Sequence, residues 1–209
     1  LLAFAILAAF IPKNDLNDEF VEYFDKRISF RRDTDFMLKN LTGIYLIDYS
    51  LGSGESGGVS DPVYLHKLEE FSDWYRKQPE VVHVSTFTDT MKRLNYSLHG
   101  DDRAWCRIPN SRELAAQYLL LYEFSLPYGL DINNQINVDK SSSRFTVTTK
   151  EISSKELRAL AERSQTWLHE NAPESMFSHG VGTAMMFAYI SGRNIKSMLF
   201  GTFCASVMV

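Results

Sequence analysis

Apolar and polar residues alternate along residues 44–51, with Ile44, Leu46 and Asp48 on one side and Tyr45, Ile47 and Tyr49 on the other, the two-residue period of a strand. A helical period follows. Asp61 can cap the free amides and Pro62 fits the first turn. Leu65, Leu68, Phe71, Ser72 and Tyr75 then recur as an inner stripe, with Lys67, Glu70, Asp73 and Lys77 outside and Pro79 as the stop. Residues 81–88 alternate again, Val82, Val84 and Thr86 against Val81, His83, Ser85 and Phe87. The same order recurs later. A strand is predicted over 137–151, where Phe145, Val147 and Thr149 alternate with Thr146 and Thr148. Ser153 and Glu156 have the spacing of a capping box, and the helix they open, to about Asn171, buries Leu157, Leu160, Ala161, Ser164 and Leu168. Pro173 ends it, and residues 177–183 supply a final strand.

Two β-α-β units therefore flank a middle stretch of different character. Residues 89–134 form a predicted helical insertion, with a capping box at Asn110 and Glu113 and a break at Pro127 and Gly129. Between these points the helix is apolar nearly all round, so it must be buried in protein, in lipid or against a greasy ligand. Upstream, residues 31–41 read as a helix through Phe36, Met37 and Leu41, stopped by Gly43, and residues 14–25 as an acidic, solvated amphipathic segment. The glycine-rich stretch 52–58 carries no Lys-Ser/Thr pair and reads as a flexible connection rather than a phosphate loop. The fold class expected is α+β: a ferredoxin-like arrangement with both crossover helices on one sheet face and a helical insertion in its middle.

The two ends are apolar: residues 1–11 before Pro12 and Lys13, and residues 198–209. Neither reaches the roughly 20 apolar residues of a membrane span. They read as parts of two flanking transmembrane helices, over 1–12 and 195–209, with a domain over 13–194 between them on one side of the membrane.

Composition adds mostly exclusions. The net charge of −4 and the absence of a Lys/Arg-rich block leave no nucleic-acid surface. The two cysteines, Cys106 in a polar loop and Cys204 in the apolar terminal run, make no disulfide framework. The five histidines, His66, His83, His99, His169 and His179, have no metal-ligand spacing. There is no nucleophile elbow, and no catalytic centre or cofactor is expected.

Several stretches resemble the second large loop of RND-superfamily exporters of the hydrophobe/amphiphile type, the broad group that includes MMPL lipid transporters and Patched-like proteins. They are Asn14-Asp-x-x-x-x-Phe20-Val-Glu-Tyr-Phe-Asp25, Phe30-Arg-x-Asp-Thr-Asp-Phe36, Asn40-Leu-Thr-Gly43, Glu69-Glu-Phe-Ser-Asp-Trp74, Arg112-Glu-Leu-Ala-Ala-Gln-Tyr-Leu-Leu-Leu-Tyr122, Ile132-Asn-Asn-Gln-Ile-Asn-Val-Asp-Lys140 and Arg193-Asn-Ile-Lys-Ser-Met198. The resemblance implies a porter domain outside the inner membrane, partnered by the other large loop and the transmembrane helices of the same proton-driven transporter. Its substrate would be a lipid or amphiphile, and the proton relay would lie in helices that this chain lacks. The expected substrate contacts are Tyr118, Leu121, Tyr122, Phe124, Leu126 and Tyr128 in the insertion, which combine apolar area with polar tips. The alternative is a membrane-tethered extracytoplasmic lipid-binding or sensor domain.

Overall fold

Ile47, Tyr49 and Leu51 point to one side of strand β1 (Tyr45–Gly52) and are buried, while Leu46, Asp48 and Ser50 point to the other. β1 pairs antiparallel with β3 (Ser142–Thr149), placing Ile47 opposite Val147 and Tyr49 opposite Phe145. β3 pairs antiparallel with β2 (Val81–Ser85), so the sheet has three strands in the order β1-β3-β2. The structure, a computed structural model, describes residues 20–208. Residues 1–12, Lys13 and the start of the acidic segment lie outside that range.

Among the described residues there are six α-helices, and the fold class is α+β. α1 (Ser29–Asn40) precedes the sheet, and Arg31 and Asp35, one helical turn apart, are paired along its flank. α2 (Pro62–Arg76) starts where Asp61 accepts the amide of Val63 at 2.7 Å, and its whole predicted stripe is buried. α5 (Ser154–Asn171) opens on a complete capping box between Ser153 and Glu156 and also buries its predicted stripe. Both helices cover the same sheet face. Tyr49 on β1 hydrogen-bonds Tyr75 of α2 at 2.5 Å and Ser164 of α5 at 2.7 Å, and Phe71 packs on both Phe145 and Trp167. Burying each large apolar side chain of this layer contributes about 1.5–3 kcal/mol. Burial raises the Tyr64 phenol to about 12, partly offset by its bond with Ser143.

Several boundaries differ from the pattern, each for a local reason. The strand expected over 81–88 ends at Ser85, because the Thr86 hydroxyl accepts the Thr88 amide and caps α3 (Phe87–Leu98). A bulge between Val81 and His83 puts Val82 on the solvent side, so Val81 and Val84 share the covered face instead of Val82 and Val84. α4 (Arg112–Ser125) is capped by Ser111, whose hydroxyl accepts from Leu114; the Asn110–Glu113 spacing is one residue early.

The glycine-rich loop after β1 is held in place rather than flexible. Ser53, Gly57 and Val59 donate amides to the carbonyls of Ser141, Asp139 and Lys140, and residues 58–60 are buried. Gly54 and Gly57 supply the positive φ angles (93° and 72°) that this tight path needs.

The final strand expected over 177–183 is reduced to one bridge, Val181 with Asp48 on the outer edge of β1. Two glycines let the segment approach too closely for a side chain. A Cβ at Gly180 would lie 2.6 Å from Ile47 Cγ2, and one at Gly182, 2.6 Å from the Leu46 carbonyl oxygen. The chain then turns into α6 (Thr183–Met208), whose first half packs on α5 with Met185 and Ala188 buried. No helix among the described residues is long and apolar enough to cross a membrane.

Candidate binding cleft

α3 and α4 stand beside the sheet and leave its second face open. That face carries His83 and Ser85 from β2, Arg144 and Thr146 from β3, and Asp48 from β1. Between it and α3 lies a cleft of about 990 Å³, lined also by Tyr122 of α4 and by Asn134 and Gln135. Thr90 of α3 donates to the Gln135 side chain at 3.3 Å, tying the two walls together.

Charged groups order the cleft floor. Arg144 grips Asp48 through Nε (2.9 Å) and Nη2 (2.8 Å), while the Thr146 hydroxyl donates to the same carboxylate at 2.5 Å. Burial pushes the Asp48 carboxyl up, but these bonds outweigh it and hold it below the ordinary carboxylate value. Along one wall, Lys92 of α3 donates to Glu69 of α2 at 2.6 Å, and Arg76 of α2 makes two 3.1 Å bonds with Asp89 of α3. Burial likewise opposes charge on Glu69 and Lys92. Their mutual bond prevails, so the Glu69 carboxyl is lowered and the Lys92 ammonium raised.

The six insertion residues singled out by pattern are not brought together. Tyr118, Leu121, Tyr122 and Phe124 lie on α4, whereas Leu126 is its extended C-cap and Tyr128 lies in the turn beyond it. Tyr118 is buried, donating to Asn95 at 3.1 Å, and Asn95 in turn donates to the Arg107 carbonyl at 2.9 Å. Tyr122 and Leu126 pack against the core edge, and Tyr122 also lines the cleft. Leu121 (54% exposed), Phe124 (79%) and the fully exposed Tyr128 face solvent. Sequence pattern did not single out Arg93, Arg144 or Asp48. No motif marks them, and the only available signal was an acid at an outward position of an otherwise apolar strand.

A second concavity of about 770 Å³ lies where α6 leaves the fold, between the start of β1, the start of α5 and the first turns of α6. Its walls are largely apolar, with Leu46, Ile152, Leu157, Phe187, Ile190 and Ile195 facing in. Of the histidines, His99 stacks on Trp105 at 3.7 Å between ring centroids, and Arg107 lies over the same indole at 4.7 Å. No group of three or more potential metal ligands occurs among the described residues.

Comparison of the chain with family models, with curated proteins and with solved structures finds no match.

Proposed function

We propose that this chain is the extracytoplasmic porter domain of an RND-type, proton-driven exporter of lipids or other amphiphiles, lodged at the inner membrane. The observation that carries this reading is α6. Its first half is packed on α5, and Arg158 donates to the Ala188 carbonyl there. Beyond Lys196 it bears no charged residue up to Met208, and Phe200 and Phe203 are 70% and 67% exposed. So much contiguous apolar surface needs a non-aqueous cover. Arg193 and Lys196 stand where the packed half gives way to the bare half, the place long cationic side chains take at a bilayer boundary.

The topology supports the same reading. Strand order β1-β3-β2, with the Val181 segment bridged to the outer edge of β1, is what a ferredoxin-like sheet becomes when its last strand is cut to one residue pair. The insertion lies between the two halves, and its cleft and the apolar groove at the root of α6 are the places for substrate contact. Bare Leu121 and Phe124 on α4, with Tyr128 in the turn after it, are the surface for the other large loop of the transporter.

The reading is tested in the intact protein. A photo-crosslinker at Tyr122 captures lipid-like substrate under turnover, and one at Phe124 captures the other loop. Extending the gene sequence outward yields a twelve-span hydropathy pattern with a second loop of this kind. Only two spans would make the chain a membrane-tethered binding or sensor domain instead.

A further inference from the structure

We infer that the cleft between α3 and the open sheet face binds an anionic amphiphile, its acidic head near Arg93 and Arg144 and its apolar part along Leu94 and Tyr122. This names a substrate class for the cleft and rests on the porter reading above. The argument is one of charge complementarity beside an apolar wall. Four cationic side chains, Arg76, Lys92, Arg93 and Arg144, line the cleft against one carboxylate, Asp89. Behind the lining, Glu69 and Asp48 take up part of that charge. Arg76 is held by Asp89 and Glu69, and Lys92 by Glu69 and Asp89. The surplus is therefore located. Arg93 is exposed and has no acidic partner among the described residues. Arg144, its side chain half exposed, spends Nε and Nη2 on Asp48, and its Nη1 makes no hydrogen bond among the described residues.

A guanidinium with free N–H groups suits a phosphate or carboxylate, which accepts short charge-assisted bonds. The Asp48–Thr146 contacts fix Arg144 in advance, so little side-chain freedom is lost on binding. A cationic amphiphile meets the reverse situation. The one lining carboxylate, Asp89, is already bridged by Arg76 and Lys92, so an ammonium head finds no free counter-charge. The half-buried Leu94 and Tyr122 on the neighbouring wall add affinity for each methylene that they cover.

The test is calorimetric titration of the full chain, held in a maltoside detergent, with n-hexyl phosphate, n-hexyltrimethylammonium and inorganic phosphate. The expected result is saturable binding of hexyl phosphate, about tenfold or more tighter than either of the others and weakened by added salt. Arg93→Glu is expected to weaken hexyl phosphate binding at least about fivefold and Arg93→Lys to restore most of it, with unchanged circular dichroism because the side chain is exposed. Equal binding of the ammonium compound, indifference to Arg93→Glu, or no saturable binding would overturn the inference. Equal binding of inorganic phosphate would make this a plain anion site and overturn it too. Each of these failures leaves the membrane placement of α6 untouched, since that is read by a separate experiment.

Discussion

α5 and α4 both open on a capping serine and both carry leucines through most of their turns, yet they end up in opposite situations. In α5 every residue of the predicted stripe is buried, because Lys155, Glu156, Arg158, Glu162 and Arg163 occupy the other faces and leave one way to dock. In α4 the apolar residues run round the helix. Only Ala115, Tyr118 and Leu119 are fully buried, and Leu120, Leu121 and Phe124 remain in solvent. A helix face is chosen by where the polar residues are as much as by where the apolar ones are. In α4 the polar constraint is missing, and the surplus apolar surface is what a partner or substrate can use.

That contrast sets the order of the expected mutational effects. Phe71→Ala removes the ring at the centre of the α2–α5–sheet layer and should cost about 3–5 kcal/mol in urea unfolding. Tyr118→Phe, in the one well-anchored turn of α4, strands the buried Asn95 side chain. It should cost about 1–3 kcal/mol by the same measurement. Ser72→Ala should move the other way. Its hydroxyl is buried and finds no partner among the described residues, so its removal stabilises by roughly 1 kcal/mol. Acid distinguishes the open face. The folded-state carboxyls of Asp48 and Glu69 are held below their ordinary values, so the stability they contribute is complete above the unfolded values near pH 4. It is lost as pH falls through the folded values. Thermal melts from pH 6 to pH 3 should therefore show less acid sensitivity for Asp48→Asn than for the native chain. Smallest of all, Phe124→Ser should change stability by less than about 0.5 kcal/mol. A loss near that of Phe71→Ala would place α4 in the core and erase the contrast.

The same contrast explains what could be read from the residues alone. The α2 and α5 stripes, the Asp61 cap and the Ser153–Glu156 box were legible because each is a local pattern with one physical solution. The bulge after Val81 was not, since it depends on pairing with Thr148 and Thr149, far along the chain. The loss of the last strand was partly legible in Gly180 and Gly182. Their meaning lies in the closeness of Ile47 and Leu46, which no local pattern records. The ordering of the loop after β1 was not legible for the same reason, as its anchors are carbonyls of residues 139–141. The cleft is a product of tertiary placement. Of the six insertion residues, only Tyr122 lines it, and its cations come from α2, α3 and β3.

The native cysteines test the central claim most directly. Cys106 is exposed in the insertion, and Cys204 lies on the uncharged half of α6. Intact cells carrying the full-length protein would be treated with a membrane-impermeant maleimide, and both peptides quantified by mass spectrometry. A porter domain outside the membrane, with α6 entering the bilayer, predicts rapid labelling of Cys106 without lysis and protection of Cys204 until the membrane is dissolved. Labelling of Cys106 only after lysis, or labelling of Cys204 as fast as Cys106, would contradict it.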